Sequence, residues 1–519
     1  MAGKGKVRGG RRFDNPILPG FHPDPSICRV GDDFYLVNSS FEYFPGVPIF
    51  HSRDLVNWRQ IGHVLTRKSQ LNLDKMGSSR GIYAPTLRHA GGRFIMITTL
   101  IDGGGNFVVT ARRPEGPWSD PIWLDEGGFD PSLLFHRGRV YYTRTGKGAD
   151  FEHPFVHQVE LDPATFKRRG RMRVIWRGSG GVWTEGPHVF HFQSRYYLLA
   201  AEGGTFLGHA QMAARADAPF GPFEPCPRNP ILTHRRRRGH SIQATGHADL
   251  VTLRDGSVWA VFLGVRRCDG HTLLGRETFL APVSFDDDGW PMIGDGGHAE
   301  LKMPAPTLPA HAWPDVPARD DFDNLDLAPG WIFLRNPVPG AASLEERPGF
   351  LRLWGSSETL DDVAATTFVG RRQEHHAFTC QTDLDFSPRR PGEEAGLTVR
   401  AREEFHLDIA VRWTAARREA VATVRAGKSS RTLGRAPLPG HGRVRLEISA
   451  AADSYQFRAG TGNRQRLLGT VPTRMLSTET IKRSGILHFT GVVLGMYATG
   501  RGQRASVPAD FDWFFYSGR

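Results

Sequence analysis

Short runs of β-branched and aromatic residues, bounded by Gly, Pro, Asn and Asp, recur over roughly residues 14 to 300. They include Phe34-Tyr35-Leu36-Val37, Phe94-Ile95-Met96-Ile97, Val140-Tyr141-Tyr142, Tyr196-Tyr197-Leu198-Leu199 and Val258-Trp259-Ala260-Val261-Phe262. Runs of this length between turn residues predict short antiparallel strands. A polar turn precedes each run, and one phrase precedes each turn. Its copies are Asp24-Pro25-Ser26-Ile27, Ala84-Pro85-Thr86-Leu87, Asp130-Pro131-Ser132-Leu133, Glu185-Gly186-Pro187-His188-Val189 and Gly246-His247-Ala248-Asp249-Leu250. Their starts lie roughly 60, 46, 55 and 62 residues apart. That interval belongs to solenoids and propellers. Units this long suit four-stranded blades around an axis, so five of them predict a five-bladed β-propeller.

The pattern then changes. Met303 to Ala318 carries Pro304, Pro306, Pro309, Pro314 and Pro317, an extended and stiff segment. From Arg319 onward the apolar positions alternate, as in Phe350-Leu351-Arg352-Leu353-Trp354, Leu407-Asp408-Ile409-Ala410-Val411 and Val444-Arg445-Leu446-Glu447-Ile448. Period-two alternation with one polar face predicts two packed antiparallel sheets. The expected organisation is a disordered lead-in over 1–13, a propeller over 14–302, a Pro-rich linker over 303–318 and a β-sandwich over 319–519. Helical periodicity is weak throughout, so the fold class is all-β.

Composition adds limits. At 519 residues the chain exceeds one core. No stretch reaches the roughly 20 apolar residues of a membrane span. The start, Met1 to Arg12, is basic and Gly-rich and is followed by no apolar segment, so it does not read as a secretory signal. Cys28, Cys226, Cys268 and Cys380 have neither metal nor disulfide spacing. Free thiols and a cytoplasmic location are expected. The formal charge of +12 raises the question of nucleic acid. The basic residues are dispersed, and the one dense run, Arg235 to Arg238, sits between two repeats without a recognition motif. A solvated Arg-rich surface is the simpler reading, with neither nucleic acid nor membrane as partner.

Four of the five repeat heads carry chemistry: Asp24, Asp130, Glu185 and His247. An isolated Asp-Pro-Ser is ordinarily a strand-entry turn, and an isolated His a satisfied core residue. Equivalent positions in a propeller face one channel, however. Titratable groups converging there predict an active site.

These motifs resemble a known family. Asn15-Pro16-Ile17-Leu18-Pro19-Gly20-Phe21-His22-Pro23-Asp24-Pro25-Ser26 is similar to the opening of glycoside hydrolase family 43. Gly81-Ile82-Tyr83-Ala84-Pro85, Phe129-Asp130-Pro131-Ser132, Thr184-Glu185-Gly186-Pro187-His188, Gly246-His247 and Leu274-Gly275-Arg276-Glu277-Thr278 resemble its later motifs, in order. Asp320-Asp321-Phe322-Asp323, Gly349-Phe350-Leu351-Arg352-Leu353, Phe489-Thr490-Gly491 and Pro508-Ala509-Asp510-Phe511-Asp512 resemble the concanavalin-like (jelly-roll) accessory sandwich of its β-xylosidases. Two departures stand out. Tyr83 replaces a frequent Trp, and Trp183 sits where smaller residues are common.

The resemblance implies exo-hydrolysis of terminal xylose or arabinose units with inversion. It places the general base on Asp24, the general acid on Glu185, and the carboxylate that tunes and orients the acid on Asp130. Arg276 would bind the terminal sugar, Phe41 and Tyr83 would wall its pocket, and Phe489 would reach the rim. Phe44 has no such support. His247 is a candidate for holding a water or a divalent cation, commonly calcium in the family. One His is poor evidence for calcium, which prefers several oxygens. No obligatory cofactor is therefore expected.

The chemistry suits these residues. One carboxylic acid protonates the leaving oxygen, while an opposed carboxylate, about 6.5–9.5 Å away, activates water. The expected substrates are xylo-oligosaccharides or arabinoxylan fragments, and a homo-oligomer is left open. Three other readings compete: an α-L-arabinofuranosidase on arabinoxylan side chains, a non-catalytic carbohydrate-binding propeller, and a retaining fructosidase relative.

Overall fold

The structure is a computed structural model that describes residues 11–124, 127–414, 417–462 and 464–519. Of the expected lead-in, residues 1–10 lie outside the described residues. Arg12 and Phe13 are a correction: they belong to a strand, Arg12–Asp14, paired antiparallel with Lys302–Pro304, and Phe13 is buried against Met303. No local pattern marks a three-residue strand, because its partner lies almost 300 residues away.

Residues 26–293 form five successive antiparallel sheets of four or five strands. Their first strands are Ser26–Val30, Thr86–Ala90, Phe129–His136, Glu185–Phe192 and Ile242–Thr252. Each first strand packs on the next, and the fifth packs on the first, so the sheets close a ring. The chain start fastens that closure. Leu18 bridges Thr278 in the fifth sheet, and the Asn15 side-chain amide donates to the Leu280 carbonyl at 2.9 Å.

Arg88 lies where the five first strands meet. Its guanidinium donates to Asp249 at 2.8 and 3.1 Å, to the Leu133 carbonyl at 3.1 Å and to Ser26 Oγ at 3.3 Å, with His188 Nδ1 at 3.2 Å. One cation thus joins all five sheets. Asp249 also accepts from Ser26 Oγ at 2.7 Å and from the Ile27 amide at 3.1 Å. Against burial, the Arg88 charge, His188 and the hydrogen bonds from Arg88 and Ser26 hold its carboxyl well below the usual range.

The C-terminal part contains an eight-stranded and a six-stranded antiparallel sheet around one apolar core. Its strands alternate in burial, as Phe378–Asp385 does, which is the expected mark of a sandwich. This sandwich is fused to the ring rather than tethered. Phe333–Leu334 pairs with Tyr43–Phe44, and Phe21, Phe41 and Tyr43 share a cluster with Ile332, Leu334, Phe368 and Tyr497. Phe44 is buried in the first-sheet core, away from the channel mouth. The linker is also pinned: the His311 amide donates to Asp54 at 2.9 Å, and Arg59 covers the Trp313 ring at 4.1 Å.

A charged network is buried in the same interface. Arg400 lies 3.1 Å from Glu403 and 3.8 Å from Glu42, and it donates to Tyr43 Oη at 3.3 Å and Ser78 Oγ at 3.1 Å. Arg335 bonds the same Glu403 carboxylate. No helix among the described residues is long and apolar enough to cross a membrane.

Candidate active site

The heads of the first strands share a backbone device. Asp24, Asp130 and His247 adopt left-handed φ values of 52°, 53° and 53°. In the third, fourth and fifth sheets the register with the neighbouring strand slips at this point. Such bulges re-aim a side chain, and they are frequent beside active sites. In the fourth sheet the left-handed residue is Gly186, φ 58°, not Glu185. A Cβ at Gly186 would come within 2.7 Å of the His247 imidazole, so only glycine fits. Glu185 therefore stands one residue earlier than the sequence repeat aligns it.

A cavity of about 850 Å³ opens over these heads. Asp24, Asp130, Glu185, His247 and Arg276 line it, as do the rings of Phe41, Tyr83 and Phe489. Sequence reasoning named all eight, and the fold brings all eight together.

Asp24 is held from both sides. Arg276 Nη1 donates to its Oδ1 at 2.6 Å, and Ser39 Oγ donates to its Oδ2 at 2.6 Å. His247 Nδ1 lies 3.7 Å from Oδ1, and burial keeps that imidazole below its usual pKa. Asp130 accepts from the Gly186 amide at 3.1 Å. Burial first, then the Glu185 and Asp24 carboxylates, raise Asp130 well above the carboxylate range. Glu185 keeps 16% of its side chain exposed, faces His209 Nδ1 at 3.7 Å, and has no hydrogen bond at Oε1 among the described residues. Burial lifts it to about 7; Arg276 and Lys482 oppose that rise, and Asp24 adds to it. Two buried carboxyls side by side titrate as a pair and keep a proton in common.

The rings form one wall. Phe41 lies 5.2 Å from Tyr83 and 6.1 Å from Phe489, centroid to centroid. Ser79 ties the outer two together. Its carbonyl accepts from Tyr83 Oη at 3.2 Å, and its Oγ accepts from the Phe489 amide at 2.9 Å. Its own amide donates to Glu42 at 2.9 Å, which links the wall to the buried interface network. Phe489 belongs to the sandwich, so the second domain completes the pocket.

Sequence reasoning missed several neighbours. Ser39 and His209 carry no motif. Phe206 lies 5.8 Å from Trp183 at the cavity and is 50% exposed. An apolar pair, Phe206-Leu207, inside the glycine-rich stretch 203–208 is a signal that could have marked it. Lys482, on the short helix Thr478–Arg483 of the sandwich, also lines the cavity.

Residues 13–291 match the glycosyl hydrolases family 43, and residues 319–517 match the β-xylosidase C-terminal concanavalin A-like domain. The chain is 44% identical over 513 residues to a non-reducing end α-L-arabinofuranosidase of Bacteroides ovatus, covering 97% of this chain and 94% of that one. It is 38% identical to a xylosidase/arabinosidase of Butyrivibrio fibrisolvens, covering 96% and 98%. The crystal structure of a xylan β-1,4-xylosidase from Bacillus halodurans superposes with a TM-score of 0.92 at 37% identity, covering 97% of this chain and all of that one.

Proposed function

We propose that this chain, which belongs to glycoside hydrolase family 43, removes single terminal xylose units from xylo-oligosaccharides. Terminal α-L-arabinofuranose is the second sugar the pocket would take, since relatives of both names match nearly the whole chain. The family inverts the anomeric centre, which separates it from a retaining fructosidase. The observation that carries the reading is the environment of Glu185. A carboxyl raised to about 7 beside an anion and without a partner on Oε1 is poised to give up a proton.

In this reading Asp24 is the general base. Arg276 and Ser39 fix its two oxygens, which aims the carboxylate at a water beneath the anomeric carbon. Glu185 is the general acid on the other side of the scissile bond and protonates the leaving oxygen. Asp130 touches the acid through electrostatics and through the Gly186 amide, keeping the proton on the pair near neutral pH. Arg276 has a double duty: it holds Asp24 through Nη1 and donates through Nη2 to the Phe489 carbonyl at 3.3 Å, which sets its guanidinium against the pocket where it would meet sugar hydroxyls. Phe41, Tyr83 and Phe489 cover the apolar face of the ring. A wall supplied partly by Phe489 closes the pocket beyond one sugar and favours chain ends.

The family requires no cofactor, and no step is assigned to a metal. His247 offers one neutral nitrogen, and the carboxylate beside it is engaged by Arg276 and Ser39. That donor set does not suit calcium, which takes six to eight oxygens.

The test is kcat/KM for the purified protein on xylobiose, nitrophenyl xyloside and nitrophenyl arabinofuranoside. Xylobiose cleaved to xylose with kcat/KM above that for the arabinofuranoside supports the assignment. Turnover of the arabinofuranoside alone would make the protein an arabinofuranosidase. No turnover of any of the three would leave it a sugar-binding propeller.

A further inference from the structure

The short helix Thr478–Arg483 is the sandwich's second contribution to the catalytic cavity, besides Phe489. It is clamped to two propeller loops. On one side, Glu479 accepts from the Thr272 amide and hydroxyl, each at 2.9 Å, and the Thr478 amide donates to the Thr272 carbonyl at 2.9 Å. On the other, Lys482 Nζ donates to the Thr205 carbonyl at 3.0 Å and hydroxyl at 3.1 Å, and it sits 4.0 Å over the Phe206 ring. Three fixed partners hold one ammonium at the edge of the cavity that contains Glu185.

Resting on the assignment of Glu185 as the acid, we propose that Lys482 is a positioning residue of the general acid: a cation delivered across the domain boundary that sets the alkaline edge of activity.

The electrostatic surroundings define the effect. Asp24, Asp130, His209, Arg276 and Lys482 face Glu185. Asp24 and Asp130 favour its protonated form. His209 is kept neutral by burial, at about 3, and contributes no charge near pH 7. Arg276 and Lys482 favour the ionised form, but Arg276 is committed to Asp24. Lys482 itself faces Arg276, Glu479 and Glu185. Burial, with Arg276, lowers it to about 8 against the opposing pull of Glu479 and Glu185. Arg483 and His488 border the adjoining cavity of about 570 Å³; burial also keeps His488 neutral, at about 3. Lys482 is therefore charged at pH 7 and is the adjustable cation facing the acid. Its charge limits how long the carboxyl pair retains its proton as pH rises.

The experiment compares Lys482→Gln and Lys482→Arg with wild type in full kcat/KM–pH profiles on xylobiose. Glutamine can still donate to the Thr205 carbonyl but has no charge. Arginine keeps the charge. Removing a cation raises a neighbouring carboxyl pKa, so Lys482→Gln moves the alkaline limb upward by about half a unit to one unit. Lys482→Arg leaves it in place. A purely structural role would lower activity at every pH without moving the limb, and that result overturns the proposal. So does an equal shift in both variants. Glu185→Gln, assayed on dinitrophenyl xyloside, whose leaving group needs no proton, separates the two claims. Loss of the alkaline limb there confirms the acid, so an unmoved limb in Lys482→Gln refutes Lys482 alone. Persistence of the limb in Glu185→Gln refutes the acid assignment and the proposal with it.

Discussion

Asp130→Asn should shift the alkaline limb of the pH–rate profile downward while leaving the site's geometry in place. The asparagine carbonyl can still accept from the Gly186 amide, as Asp130 Oδ2 does at 3.1 Å. What disappears is the negative charge beside Glu185. Glu185 stands at about 7 against an ordinary 4.5, chiefly through burial. Burial remains in the variant and keeps the larger part of that rise. The repulsion between the two carboxyls goes with that charge, so the limb moves downward. At pH 7, close to the value at which Glu185 titrates, the protonated fraction falls and kcat/KM falls with it several-fold. At pH 5.5 the protonation loss should nearly vanish. The assay is kcat/KM on xylobiose from pH 4.5 to 9, with circular dichroism as a fold control. A uniform loss across that range, with the limb unmoved, would mean that Asp130 only positions the acid. An upward shift would contradict the electrostatic reasoning outright.

Three further outcomes follow from the same structure. Arg400→Met leaves the buried Glu42 without its cation and Glu403 with Arg335 alone, so it should cost about 3–5 kcal/mol in urea unfolding; a cost under about 1 kcal/mol would show that the network is not needed. His406 is raised to about 9, since Asp408 and Asp361, at 2.9 and 2.8 Å, outweigh burial. A raised pKa stabilises below the unfolded value of about 6.5, and that stability, about 3 kcal/mol, is lost as pH rises through 9. The gap in unfolding midpoint between wild type and His406→Gln should therefore shrink from pH 6 to pH 10, and a constant gap would refute it. Ser79→Ala removes the hydroxyl that anchors Phe489 and should raise KM for xylobiose several-fold with little effect on xylose binding; equal effects on both would place the rim elsewhere.

The repeat was legible in the sequence because each head must re-aim a side chain into one channel, and the residues able to do so at a left-handed bulge form a short menu. The same constraint misaligned Glu185 by one residue. His247 occupies the space above Gly186, so the fourth sheet sends in the preceding side chain. The second repeat, headed by Ala84, carries no titratable group at its head, and it supplies Arg88 to the channel instead. That role is set by partners in four other sheets and leaves no local trace. Phe489 could be named only through the Phe-Thr-Gly resemblance. Lys482 could not be named at all, since its place depends on how the helix Thr478–Arg483 docks against Thr205 and Thr272. Local patterns specify strands and bulges; contacts across a domain boundary are specified by tertiary packing.

The central claim is that Glu185 supplies the proton and Asp24 activates the water. The most direct measurement is the leaving-group dependence of Glu185→Ala and Asp24→Ala, with xylobiose and dinitrophenyl xyloside as the two extremes. An alkoxide leaving from xylobiose needs protonation, whereas a dinitrophenolate does not. Glu185→Ala should lose about 10²- to 10⁴-fold on xylobiose and far less on dinitrophenyl xyloside. Asp24→Ala should lose a comparable factor on both, because water attack is required in each. Equal losses on both substrates for Glu185→Ala, or near-normal turnover of dinitrophenyl xyloside by Asp24→Ala, would contradict the account.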